Sequence, residues 1–194
     1  EVIQNPSGLK EVEGTVIAVN AQSFLLGDST GNILVYKGSS WERDVEVGDT
    51  VKVTGEPSKY AGAIQFGTAT EYSVLDSGKT VKHPEAREKT IEQLDAYLTS
   101  QSIEVEYIKI TGQVIISGNY VNIQIEGARA IGSYTYPLDM AKIKELSGKT
   151  VEFIGYLTGA SGGTPAKYLN ILVTEYTEIE EESGGEETPT LSTV

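Results

Sequence analysis

The chain contains no cysteine, and only one histidine, one tryptophan and one methionine occur among its 194 residues. Without thiols there are no disulfides and no thiolate metal sites. A lone histidine, His83, leaves little for acid–base catalysis near neutral pH. No run approaches the roughly 18 apolar residues of a membrane-spanning helix, so membrane insertion is not expected. Bases are scarce as well: 15 Lys and Arg face 28 Asp and Glu, a net charge of −13. Such a chain is repelled by phosphate backbones and anionic lipid. There is no Gly-x-Ser-x-Gly elbow and no phosphate-binding loop. These absences predict no catalytic residues, no metal site and no cofactor, hence a protein that is not an enzyme.

What the chain does have is glycine, 21 residues of it, in a pattern that repeats. Residues 48–55 read Gly-Asp-Thr-Val-Lys-Val-Thr-Gly, and residues 148–155 read Gly-Lys-Thr-Val-Glu-Phe-Ile-Gly. Each copy places a glycine turn before alternating apolar residues, the signature of a half-buried strand, and closes on a second glycine. Upstream, Glu-Gly-Thr-Val-Ile at 13–17 has a counterpart in Thr-Gly-Gln-Val-Ile at 111–115. From Gly14 to Gly55 is 41 residues; from Gly112 to Gly155 is 43. Two copies of one small β domain follow from this self-similarity.

In the first copy the alternation predicts strands at 12–19, 23–26, 33–36, 50–55 and a long fifth at 64–75, with Tyr60 at the tip of the preceding turn. Residues 27–32 carry an Asp and an Asn but lack the acidic spacing of a calcium loop, and read as a β-turn. The second copy has strands at 105–116, 121–125, 130–134, 150–157 and 167–177. Between the copies, Thr90 and Gln93 form a capping-box pattern for a helix at 90–102, with Ile91, Leu94 and Leu98 on one face. Pro137 opens a second helix ending at Gly148, with Leu138, Ala141 and Leu146 turned inward.

Five strands with an insertion between the third and fourth outline an OB-fold barrel. The fold class expected is all-β with minor α: two tandem five-stranded OB-fold, Greek-key barrels. The boundaries are 8–78 for the first, 79–89 for a linker, 90–179 for the second with its helix, and 180–194 for an acidic Gly/Glu tail or interaction strand. The stretches Gly-Thr-Val-Ile-Ala-Val, Phe-Leu-Leu-Gly-Asp-Ser-Thr-Gly-Asn-Ile-Leu-Val-Tyr and Val-Gly-Asp-Thr-Val-Lys-Val-Thr-Gly resemble the tandem OB-fold domains of bacterial secreted and cell-envelope proteins. Residues 94–98 and 167–171 match that pattern too. The resemblance implies an extracellular or cell-surface location, with an upstream signal or lipid-anchor segment, and nucleic-acid binding by fold analogy.

OB-folds bind across strands two and three and the adjoining loops, often by stacking on aromatic rings. In the second copy those places hold Tyr120, Arg129, Tyr134 and Tyr136, with Lys167 and Tyr168 after the loop between strands four and five. The first copy offers Tyr60, together with Phe24, Tyr36 and Trp41. His83, beside a proline in the polar linker, is expected to be exposed. From 109 to 174 there are six bases and four acids, a local excess set between acidic neighbours. The expected function is a non-catalytic binding or scaffold module for glycan or protein. The alternatives are single-stranded nucleic-acid binding and a self-assembling structural subunit that lends residues 188–194 as a strand to the next copy.

Overall fold

The computed structural model describes residues 2–180, so the strand expected at 188–194 lies outside the described residues. Two sheets account for nearly all regular structure. The first is built from β1 (Lys10–Val19), β2 (Ser23–Asp28), β3 (Gly31–Tyr36), β4 (Thr50–Gly55), β5 (Pro57–Tyr60), β6 (Ala63–Phe66) and β7 (Glu71–Asp76). Its strand order is β5-β6-β3-β2-β1-β4-β7. The second contains β8 (Arg87–Glu88), β9 (Glu106–Ser117), β10 (Tyr120–Gln124), β11 (Ile131–Tyr134), β12 (Thr150–Ser161) and β13 (Tyr168–Glu178). There β10 pairs with both β11 and β9, which closes β9-β10-β11-β13-β12 into a five-stranded barrel with β8 on its outside.

The glycine repeat has one structural cause in both halves. Gly48 and Gly148 hold φ of 98° and 80°, the left-handed region that L side chains avoid. Each donates its N–H to the first strand, Gly48 to the Val16 carbonyl at 2.9 Å and Gly148 to the Val114 carbonyl at 2.8 Å. The first strand answers in the same way: Val16 N–H donates to Asp49 and Val114 N–H to Lys149. Gly14 and Gly112 mark the place where that strand presses onto the next. A Cβ at Gly112 would lie 2.4 Å from the Gln124 carbonyl oxygen, and one at Gly14 2.8 Å from that of Gly27.

The first sheet departs from the expected closed barrel. Its fifth strand, expected to be continuous over 64–75, is broken into β6, parallel to β3, and β7, antiparallel to β4. The break is a turn in which Thr70 N–H donates to the Gly67 carbonyl. The Lys37 ammonium donates to the Thr68 and Thr70 carbonyls and holds it in place. With its last strand split, this sheet stays open. Trp41, from the β3–β4 connection, donates Nε1–H to the Tyr72 hydroxyl at 2.7 Å, and that hydroxyl donates to Asp44. Phe24, Leu26, Val35, Val51, Val53 and Phe66 fill the space behind them.

The helices are shorter than their patterns suggest. The capping box at Thr90 and Gln93 forms as expected, but α1 (Ile91–Ala96) passes into a single 3-10 turn (Tyr97–Thr99). Leu94 and Leu98 enter the second core, while Ile91 stays exposed. Pro137 lies in a turn rather than opening a helix: α2 (Met140–Lys144) starts after Asp139, whose carboxylate accepts from Lys142 N–H. The inward residues are therefore Ile143 and Leu146, and Leu138 and Ala141 face outward.

The two halves meet through side chains on the outer faces of the open sheet and the barrel. Ala18 and Leu25 from the first are buried against Tyr107, Tyr156 and Leu172 from the second. Polar contacts fix the register of the joint. Asn20, buried, accepts at Oδ1 from Gln22 N–H and from both Ser23 N–H and its hydroxyl. Its Nδ2 donates across the joint to the Thr135 carbonyl at 3.2 Å. Ala21 N–H donates to the Tyr136 carbonyl, Ile103 N–H to Gly62 and Ala160 N–H to Ala61. His83, expected to be exposed, is half-buried here. Its ring stacks on Tyr107 at 5.1 Å, and Nδ1 lies 2.9 Å from the Tyr156 hydroxyl. The linker covers apolar surface that would otherwise face water, and the histidine is held there for that reason.

Asn20→Ala strips two buried main-chain donors and the Thr135 carbonyl of their partner; a loss of about 2–3 kcal/mol is expected in a denaturant titration. A second expectation concerns pH. Burial pushes the His83 imidazole below its usual range, with Glu175 pulling the other way. The unfolded chain then takes up a proton before the folded one, so stability falls as pH drops below about 6.5. Hydrogen-bonded carboxylates such as Asp28 and Glu106 are lowered, and their contributions are lost only further down, near about pH 4. His83→Phe keeps the stacked ring and should flatten the stability profile between about pH 6.5 and 5, as read from denaturation midpoints. Equal slopes in the two proteins would refute this.

Candidate ligand-binding surface

The site residues expected from the sequence separate into three places. Tyr134 is one of them by itself: it packs on the second core, its ring 5.9 Å from Phe153. Burial pushes its phenol up to about 12, and the neighbouring Tyr176 adds to the shift.

Arg129, Lys167 and Tyr168 lie together at the start of β11, where Ile131 N–H donates to the Lys167 carbonyl and Ile131 pairs with Tyr168. Arg129 is already engaged. Its Nε donates to Asp95 Oδ2 at 3.1 Å, while Arg129 N–H and Ala130 N–H donate to Asp95 Oδ1. Those bonds, that from Ala130 foremost, hold the Asp95 carboxyl below its usual range. The Tyr168 ring lies over Gly162, where a Cβ would come within 2.5 Å of it. Lys167 is exposed.

Tyr120 and Tyr136 stand at the opposite end of β11, about 15 Å along the strand from Arg129 and Lys167. They are joined there by two rings of the first half, Tyr36 and Tyr60. Tyr36 ends β3 and lies 6.1 Å from Tyr136, ring to ring. Tyr60 ends β5 at the hairpin whose Ala61 and Gly62 carbonyls bond the second barrel. Burial raises the Tyr136 phenol to about 12, and the neighbouring hydroxyls of Tyr36, Tyr60 and Tyr120 add to the shift. One tyrosine thus senses three others, two of them roughly 75 and 100 residues distant in sequence. Tyr60, Tyr120 and Tyr136 are 60%, 72% and 42% exposed, so the cluster faces solvent.

The backbone is bent to build it. Among the described residues, the non-glycine positions with positive φ are Ala61 (51°) and Tyr136 (45°). Both lie in this cluster, and both lend their carbonyls to the joint. Left-handed backbone costs such residues about 1–2 kcal/mol each, and it persists where surrounding contacts hold it. Tyr60, Tyr120 and Tyr136, expected from the sequence as ligand-binding residues, stand at this place, and Tyr36 joins them only through the joint. One hint was available. β2 reads Phe24-Leu25-Leu26 without alternation, as a strand covered on both faces does.

On the other side of the joint runs an open groove of about 380 Å³, lined by Ile17, Val47, His83, Leu138 and Lys142 among others. Its polar lining includes Asn20, Tyr134, Asp139 and Thr174. Among the described residues there is no group of three or more His, Asp or Glu placed to hold a metal ion, and no helix long and apolar enough to cross a membrane.

No family model and no curated protein matches the chain. Several solved structures of HIN-type, OB-fold proteins are similar to it at low level. One is a murine DNA-binding protein bound with double-stranded DNA, at 12% identity, covering 89% of this chain and 100% of that one, with a TM-score of 0.41. Another is the Ifi202 HINa domain in complex with double-stranded DNA, at 9% identity over 84% and 94%, TM-score 0.38. A third is the tetrameric p202 HIN2, at 12% identity over 90% and 93%, TM-score 0.35. Such values leave the reading of the site to its own geometry.

Proposed function

We propose that this chain is a non-catalytic binding module that takes a ring-bearing polymer across the tyrosines at the joint between its two halves. The observation that carries this reading is the contact of the Tyr36 and Tyr136 rings across the joint, with the exposed Tyr60 at a hairpin bonded to the second barrel and the exposed Tyr120 two residues before Asn122, which pairs with Ser133. Tyr60 belongs to the hairpin after the fourth OB-type strand of the first half, and Tyr120 to the turn between the first two strands of the second. Those are the loops through which OB-folds take oligonucleotides and oligosaccharides. A rigid, amphipathic ring gives contact area at small entropic cost and can donate from its hydroxyl. A secreted or cell-surface placement belongs to the same proposal.

Single-stranded nucleic acid is the second reading, favoured by the position of the rings on those two loops. Tyr60→Ala and Tyr120→Ala remove exposed side chains that fill no core, so both variants should fold as the parent does. Each is expected to weaken ligand binding by about 1–3 kcal/mol, read by calorimetric titration against oligosaccharides, single-stranded oligonucleotides and duplex DNA. Binding that neither substitution affects would place the ligand elsewhere.

A further inference from the structure

We propose that the polymer bound at the tyrosine patch is an uncharged glycan, an oligosaccharide long enough to cross from the first half to the second. This rests on the reading of the patch as a ligand platform and adds its ligand class. A nucleic acid needs two things from a protein: faces for its bases and cations for its phosphates. The patch supplies the first in full and the second only sparsely.

Two bases adjoin the rings in sequence, Lys37 and Lys59, and each donates to main-chain carbonyls. Lys37 donates to Thr68 and Thr70 in the strand break, on the opposite face of the strand end from Tyr36. Lys59 donates to the Gln101 carbonyl at 2.7 Å. Of the six bases of the second half, Lys142 and Lys144 stand on α2, a few residues after Tyr136, and the other four lie away from the rings. Arg129 is bound to Asp95, Lys149 to Glu178, and Lys109 sits between Glu88 and Glu152. Lys167 is at the far end of β11 from the rings. The chain as a whole carries a charge of −13, so a polyanion is disfavoured on approach.

An uncharged sugar meets none of these penalties. The flat face of a pyranose presents C–H groups to an aromatic ring, and its equatorial hydroxyls accept from or donate to phenols at the ring edges. Tyr136 and Tyr36 offer hydroxyls, and the Gln22 side-chain carbonyl, which accepts from Tyr36 at 3.1 Å, extends the polar edge. Tyr60 and Tyr120 stand on different halves and four rings make up the patch, so a chain of several linked units covers more of it than a single sugar ring does.

The test uses the full chain against a set of neutral oligosaccharides of several units, with single-stranded oligonucleotides alongside, each at low and at high salt. The expected result is that a neutral oligosaccharide binds and a monosaccharide does not. Its affinity should stay the same between the two salt concentrations and drop about tenfold on Tyr120→Ala or Tyr60→Ala. Oligonucleotide binding that needs the same tyrosines and falls steeply with salt would overturn the glycan assignment while leaving the platform standing. Binding of either polymer that both tyrosine substitutions leave unchanged, or no binding of any of them, would overturn platform and ligand class together.

Discussion

The joint between the two halves depends on one constraint: β2 and β12 are buried on both faces. Phe24 and Leu26 point into the first core, so Leu25 must point out of it, and it finds Tyr107, Tyr156 and Leu172. Fully burying a side chain of this kind stabilises by about 1.5–3 kcal/mol relative to leaving it in water. That makes separated halves costly. Once the outer faces are matched, Asn20 can reach Thr135, and the Ala61 and Tyr136 carbonyls meet donors from the other half. Everything at the patch follows from that apposition.

The two halves share a repeat but have diverged in how each closes. In the second, β13 runs unbroken along both β11 and β12, and the barrel shuts. In the first, the corresponding strand is split at residues 67–70, and the ends are held by Lys37 and by the Trp41–Tyr72–Asp44 chain of hydrogen bonds. Burial and the acceptor Asp44 push the Tyr72 phenol up to about 12, so it remains a donor throughout the range in which the protein is folded. The opening of the first sheet is thus a supported feature, with polar side chains standing where ladder bonds would run.

The tyrosine patch and the strained backbone at Ala61 and Tyr136 coincide. Positive φ at those two positions aims their carbonyls at the joint and their flanking rings at solvent. The same contacts that bind the halves together therefore position the rings. A ligand lying across them would touch both halves at once, and its binding energy would be drawn partly from a surface already rigid before it arrives.

The period-2 alternation, the glycine turns at Gly48 and Gly148, and the capping box at Thr90 were legible because each depends on residues close in sequence and on one local geometry. They suffice for two β-rich repeats and for most strand positions. The alternation says which face of a strand is apolar, but not what covers the other face, so the joint and the burial of His83 were not legible. Nor was the break in the fifth strand of the first half, since Ile64, Phe66, Tyr72 and Val74 keep an even spacing across it; Lys37, about 30 residues upstream, decides it. The site divides in the same way. Tyr60, Tyr120 and Tyr136 could be picked out by residue type and loop position, and Tyr134 could not be distinguished from them. Only the tertiary structure turns Tyr134 toward Phe153, sets Arg129 and Lys167 at the start of β11, and brings Tyr36 to Tyr136, because each of these contacts joins surfaces far apart in the chain.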